Sequence, residues 1–344
     1  MRTSDLTLVF QGAFRPYVTR DGEHALRNLR RTRQALPGAC VILSTWEDAE
    51  VPRDLPVDVV VRSADPGPLA PLKLHDGKVN NVNRQLVSTL AGMAAVSTPY
   101  AAKLRTDCWL EHAGFLDFHA EQRGRDGGRE RERILACSFF TLDPTVFERL
   151  PFHLSDWFQF GPIDALRRYW SAPPMDAGDG RHHELHPHAP GATYFERQFR
   201  ARFAVEQHYC RHYAQGLGYG VPAYLNDANE TVLAEFRRFL ASEVMLLDPW
   251  QIGLVCPRYG WVGGSLFQSM ANLMHLDWLA LNPDYLGTGP EADRVRAAIA
   301  ARQRRKRIAR VGFHHTRPLH DFLFDPRGRG APLRRAANRV LRMV

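Results

Sequence analysis

At 344 residues, 44% of them hydrophobic, the chain is long enough to bury a large core and too apolar for a disordered protein. No run of about 18 apolar residues occurs, and Met1-Arg2-Thr3-Ser4-Asp5 leads into a strand without a signal-peptide core, so the expected compartment is cytoplasmic. The net charge of +8 calls for an anionic partner.

Leu6-Thr7-Leu8-Val9-Phe10 reads as a buried strand ending at Gln11-Gly12, where glycine lets a ligand or a turn approach the backbone. A helix is expected from a cap near Asp21 through Leu26, Leu29 and Arg33 to the breakers Pro37-Gly38. Ala39 to Trp46 and Val57 to Val61 are continuous apolar runs, the pattern of a parallel sheet covered on both faces. Asn81 to Val96 carries Val82, Leu86, Leu90 and Met93 at helical spacing and precedes a strand from Tyr100 to Asp107. This alternation predicts an α/β fold with a doubly wound sheet and helices on both faces.

An open α/β sheet presents ligand groups where its strands end, which is where Asp107 falls, at a phosphate-bound metal or a sugar hydroxyl. Asp65-Pro66-Gly67 follows the third strand, Asn80-Asn81-x-Asn83-Arg84-Gln85 opens a helix, and Lys103-x-Arg105-x-Asp107 closes a strand. A helix N-terminus with Arg84, Lys103 and Arg105 makes a seat for a diphosphate. Singly each residue has a plainer role, Asp65 in a turn, Asn80 or Asn81 as a cap, Arg84 in a surface ion pair; the joint placement at one sheet edge argues for a site. Neither Gly-x-Gly-x-x-Gly after the first strand nor a P-loop is present.

Further on, Pro151 to Gly161 is aromatic-rich around Ser155-Asp156-Trp157. A helix from about Thr193 would bury Phe195, Phe199 and Phe203 and hold Glu206 near that face. His182-His183-Glu184-Leu185-His186-Pro187-His188 lacks His-Glu-x-x-His and is broken by proline, so residues 172–192 read as a mobile loop able to close over substrate rather than a zinc site. Residues 124–133 read as a solvated hairpin or loop tip. Glu230 to Leu247 and Glu291 to Ala309 read as helices. From Arg302, within the second of these, the basic residues up to Arg342 give a basic, amphipathic tail that can lie on an anionic membrane surface or stay solvated. The five cysteines, Cys40, Cys108, Cys137, Cys210 and Cys256, are scattered without a Cys-x-x-Cys pair and read as reduced thiols. No helix-turn-helix, zinc-finger or RNP-like pattern supports a nucleic acid partner.

Phe10-Gln11-Gly12, Leu36-Pro37-Gly38-Ala39 into Ile42-Leu43-Ser44-Thr45-Trp46, Asp65-Pro66-Gly67, Asn83-Arg84-Gln85, Lys103-Leu104-Arg105-Thr106-Asp107 and Ser155-Asp156-Trp157 together resemble the WavE-type lipopolysaccharide synthesis family, in that family's order. The resemblance covers roughly residues 6–215 and fades towards 260. It implies a GT-A-like glycosyltransferase that moves a sugar from a nucleotide-sugar donor to a lipopolysaccharide core or other glycan or glycolipid acceptor, peripheral on the inner membrane if the basic tail binds there. The alternative is a non-catalytic nucleotide- or sugar-binding protein of the same assembly.

In a GT-A enzyme an Asp-x-Asp triplet usually binds a divalent cation, Mn²⁺ or Mg²⁺; here Arg105-Thr106-Asp107 keeps only the last carboxylate, so Asp107 is the expected metal ligand and fixed positive charge could share its task. The implied donor-binding set is Gln11, Gly12, Asp65, Asn83, Arg84, Lys103 and Arg105. An inverting transfer needs a base, for which Asp156 and Glu206 join Asp107 as catalytic candidates, the plain alternatives being a helix cap for Asp156 and an ion pair for Glu206. Expected domains are 1–215 for donor binding and catalysis, 216–310 as a helical lobe and 311–344 as the basic tail.

Overall fold

The structure, a computed structural model, describes residues 1–15, 24–74, 77–125, 132–260, 263 and 265–324, with Gly330 and Leu333. Seven strands form the central sheet: β1 (Leu6–Gln11), β2 (Cys40–Trp46), β3 (Val59–Ser63), β4 (Tyr100–Arg105), β6 (Ile134–Cys137), β7 (Phe158–Pro162) and β8 (Val244–Leu247), in the order β3-β2-β1-β4-β7-β6-β8. All run parallel except β7, which is antiparallel to β4 and to β6. A separate antiparallel pair joins β5 (Trp109–Leu110) to β9 (Leu254–Val255).

The apolar runs explain the middle of the sheet, where Leu6, Leu8, Val9 and Phe10 of β1 are fully buried between two neighbours. Helix Val82–Ala94 lies against β1 and β2 through Gly92, where a Cβ would come within 2.5 Å of Val9 Cγ1. Only glycine permits this approach, and it sets the helix so that its first turn stands at the C-terminal ends of β1 and β4. On the opposite face Phe115 of helix Phe115–Arg125 packs against Phe158 and Phe160, so helices cover both faces as expected.

Several boundaries differ from the expectations. The first helix spans Ala25–Ala35, and the proposed Asp21 cap lies outside the described residues. β3 is an edge strand with Val59 and Val60 partly exposed, not a strand covered on both faces. The Glu230 helix stops at Glu243, because Val244-Met245-Leu246-Leu247 pairs with β6 and becomes fully buried strand; sheet pairing overrides the local helical pattern. The helix expected from Thr193 is one capped turn, Tyr194–Arg197, and a separate helix, Val205–Gly216, carries Glu206. Residues 124 and 125 end a helix rather than form a loop tip, Arg133 is buried with its Nε donating to Ala241 O, and residues 126–131 lie outside the described set.

The long helix Pro290–Phe324 runs through the boundary expected at 310. It is pinned by charge. Lys306 Nζ is 2.8 Å from both Asp143 and Asp277, and Arg302 pairs with Asp277 and donates to Asn272 O. Part of the basic stretch is therefore spent inside the protein, while Ile308, Val311, Leu319 and Phe322 stay exposed; residues 325–329, 331–332 and 334–344 lie outside the described set. Among the described residues no helix is long and apolar enough to cross a membrane. The reading of all five cysteines as free thiols is corrected: Cys108 and Cys256 form a disulfide across 148 residues, leaving Cys40, Cys137 and Cys210 free.

Candidate functional site

A cleft of about 410 Å³ opens where β1 and β4 end and helix Val82–Ala94 begins. Gln11, Gly12, Asp65, Arg84, Arg105 and Asp107, all expected site residues, line it. Gly12 holds φ at +117°, a backbone conformation costly for any other residue, just where the chain leaves β1. Gln11 is anchored by Ser88 Oγ, 2.9 Å from its Oε1.

Two arginine–carboxylate forks define the electrostatics. Arg84 donates to both oxygens of Asp65, at 2.8 and 2.5 Å, and to Asn81 Oδ1 at 3.1 Å. Arg105 donates to both oxygens of Asp107, at 2.9 and 2.7 Å. Burial pushes the Asp107 carboxyl up, but Arg105, helped by Arg258, outweighs it and holds Asp107 below the usual carboxylate range. Burial likewise disfavours charge on Arg105, and Asp107 with Asp156 more than restores it. A guanidinium has five N–H donors, so Arg105 keeps donors for a ligand after satisfying Asp107. The first turn of the helix adds backbone N–H groups that no helical carbonyl takes up, the usual seat for an anion.

Four expected residues are placed elsewhere. Lys103 shares a face with Arg105 but lies two residues deeper, beside the sheet core, where Nζ donates to the Asp156 carbonyl; burial lowers its pKa to about 8. Asn83 clamps the backbone of Met175 in both directions, at 2.9 and 2.8 Å, and is not a cleft residue. Asp156 is 1% exposed and does not line the cleft; its carboxylate lies 3.7 Å from Lys103 Nζ and has no hydrogen-bond partner among the described residues. Glu206 pairs with His153 at 3.3 Å and keeps 22% of its side-chain surface.

The His153 ring faces acceptors on both sides, Phe140 O at 2.9 Å from Nδ1 and Glu206 at 3.3 Å from Nε2, so both are satisfied only by the imidazolium. Burial works against that charge and Glu206 overcomes it, raising His153 above 6.5; burial raises Glu206, and His153 brings it well below 4.5. The pair is therefore at full strength between about pH 4.5 and 6.5; it is lost as pH rises through the folded His153 value or falls through the folded Glu206 value. Glu206→Gln should cost about 3 kcal/mol within that window, with a gap to wild type that narrows on either side. Thermal melts from pH 4 to 9 would test this, and a constant gap would refute it.

Sequence reasoning missed Ser88, Arg258, Tyr259 and Phe140. Ser88 was findable, one helical turn beyond Arg84 and thus on the same face. Arg258 and Tyr259 arrive from 150 residues away along the chain, carried by the β5–β9 pairing and the Cys108–Cys256 bond beside Asp107. Tyr259 packs with Trp157 and Phe140 at 4.7 and 5.7 Å, and its ring lies 5.9 Å from the Arg105 guanidinium carbon. Phe140 holds φ at 62°, a strained choice for a bulky side chain, in the wall of this aromatic group.

No group of three or more His, Cys, Asp or Glu residues that could hold a metal ion occurs among the described residues, the 182–188 histidines included; two single-turn helices, Ala177–Gly180 and His182–Leu185, lie within residues 172–192, where a loop is expected from the sequence. In the cleft both carboxylates, Asp65 and Asp107, are forked by arginines, so guanidinium charge already stands where a divalent cation would need uncompensated anionic ligands, and the donor set does not fit a resident one.

Solved structures overlap this chain loosely. A 2-C-methyl-D-erythritol 4-phosphate cytidylyltransferase from Francisella tularensis aligns over 48% of this chain and 76% of its own at 9% identity and TM-score 0.27. A UDP-glucose pyrophosphorylase from Acinetobacter baumannii aligns over 51% and 79% at 14% identity and TM-score 0.28, and a UTP-bound form over 50% and 79% at 12% and 0.29. Overlap at this level is no guide to activity. Among curated proteins there is no match. The sequence model for WavE lipopolysaccharide synthesis matches residues 6–312, well beyond the fading point near 260 expected from the motifs and into the long basic helix. With most of its length matched, this chain belongs to the WavE lipopolysaccharide synthesis family.

Proposed function

We propose that the chain is a glycosyltransferase of the GT-A type that moves a sugar from a nucleotide-sugar donor to a lipopolysaccharide core or related surface glycan. The observation that carries this reading is the meeting of Arg84, Arg105 and Arg258 with Asp107 in one cleft at the strand ends. Departure of a nucleoside diphosphate builds negative charge on the leaving oxygens, and fixed guanidinium groups in a recessed site stabilise it without reorganising. Here Arg105 takes the place that a metal-binding carboxylate would hold, with part of a cation's task passing to arginine. Asp107, ionised through its fork with Arg105, suits a hydrogen bond to a donor-sugar hydroxyl and is a weak proton acceptor. Phe140 and Tyr259 supply the apolar face on which an acceptor sugar would stack.

A panel of nucleotide sugars with lipopolysaccharide core fragments, scored for nucleoside diphosphate release, tests the proposal. One donor should turn over with an acceptor, with or without a chelator, and Asp107→Asn should abolish it. Saturable nucleotide binding with no release from any donor would instead favour a non-catalytic binding protein, in which Asp107 serves only to hold Arg105 in its fork.

A further inference from the structure

A larger cavity, of about 740 Å³, lies away from the Asp107 cleft and shares no lining residue with it. It is built from four segments: the Pro144–Arg149 stretch, Gly191 with Thr193, the first half of helix Glu230–Glu243, and the long helix Pro290–Phe324. The helical spacing is regular on both sides. Arg310, Phe313, His314 and Arg317 recur at i, i+3, i+4 and i+7, and Glu230, Leu233 and Arg237 at i, i+3 and i+7, so each helix turns one continuous face to the cavity.

The charge there is lopsided. Four arginines and a histidine line the cavity against one acid, Glu230. Arg149 is held in place by the buried Glu196 and by Gly191 O, and Arg317 by Ala192 O and Asp321. Arg237 and Arg310 are exposed, and among the described residues neither makes a hydrogen bond or an ion pair. Gathering like charges around a concavity costs energy that a bound anion would recover. The wall beside them is aromatic: Phe147 stacks on Phe267 at 4.5 Å and meets the Phe313 ring edge-on at 5.2 Å. The long helix cannot simply drift away, since Lys306 and Arg302 lock it to Asp143 and Asp277 one to two turns earlier.

We infer that this cavity is a second ligand site, for a phosphate ester carried on a sugar or glycerol: Arg237 and Arg310 grip the phosphate oxygens, and Phe147 and Phe313 cover the carbon face. Arginine suits this task because its planar fork meets two phosphate oxygens at once, and ring faces pack against the C–H side of a polyol. The inference does not depend on what the Asp107 cleft does.

The test uses the full chain, titrated calorimetrically with glucose 6-phosphate and with glucose, and sedimented with phosphatidylglycerol/phosphatidylcholine vesicles. Arg237→Ala/Arg310→Ala removes two exposed side chains without partners, so the fold should survive. Arg304→Ala/Arg305→Ala, exposed on the same helix outside the cavity, controls for bulk charge, and Arg258→Ala reports phosphate taken by the Asp107 cleft. Saturable glucose 6-phosphate binding, absent for glucose, should weaken at least tenfold in the first double variant and persist in the other two. Vesicle binding that only the first double variant loses, without sugar phosphate binding, would support the site with a lipid headgroup as its source. If neither probe binds, or if the first double variant binds both as wild type does, the inference is overturned.

Discussion

Arg105→Ala should cost this protein both its stability and its turnover, whereas Arg105→Lys should cost mainly turnover. Asp107 keeps only 11% of its side-chain surface, and Arg105 donates to both of its oxygens. Removing the arginine strands an ionised carboxylate, a loss of about 3–5 kcal/mol by the scale for breaking a buried pair. Lysine retains a positive charge next to Asp107, so the carboxylate is not stranded and most of that loss should be avoided. It cannot reproduce the fork, and the donors left over for a departing diphosphate lose their fixed direction. Both variants should therefore drop the rate of nucleoside diphosphate release by about 10²–10³, the usual loss for one preorganised charge stabiliser. Denaturant melts beside single-turnover release separate the two effects. A lysine variant that releases nucleotide at the wild-type rate would remove Arg105 from the chemistry and leave it a structural partner of Asp107.

The sequence carried the sheet where each strand is decided locally, and lost it where pairing at a distance decides. Continuous apolar runs at Leu6–Gln11 and Cys40–Trp46, short and bounded by glycine or turn residues, read as strands buried on both faces, and the structure has both inside the sheet, flanked by strands on either side. Val244–Leu247 has the same residues as a helix end, and only β6 alongside makes it a strand. The site divides in the same way. Gln11, Gly12, Arg84, Arg105 and Asp107 sit at ends of elements that the periodicity locates, and they converge. Lys103 shares their alternation, yet depth along a strand is not written in alternation: two residues, about 6.6 Å, take it from cleft to core. Asp156 and Glu206 look like acids in search of a substrate until Lys103 and His153, from other segments, claim them. The long basic segment misled for a related reason. Composition reports its charge but not that Arg302 and Lys306 spend theirs on Asp277 and Asp143.

Cys256→Ser should weaken donor binding about tenfold while leaving the sheet folded, because the disulfide's task is to bring Arg258 to Asp107. Cys108 adjoins Asp107 in sequence, and Cys256 precedes Arg258 by two residues, so the bond joins the two halves of the cleft. A disulfide typically stabilises a fold by about 2–4 kcal/mol, largely through restriction of the unfolded chain, and that much should disappear in the variant or on reduction. The segment would not come free altogether. β9 still pairs with β5, and Gly253, at φ +85°, is packed so closely on His112 that a Cβ would lie 2.4 Å from its carbonyl oxygen. The crossing thus survives, and the loss falls on the residues beyond it, Arg258 and Tyr259. A cycle decides whether this is the route. If the tether acts through Arg258, then Cys256→Ser/Arg258→Ala should bind donor no more weakly than Arg258→Ala alone, since the second change removes what the first one misplaces. If the two losses multiply instead, the disulfide shapes the cleft by another path, with Tyr259 and its contact to Arg105 next in line.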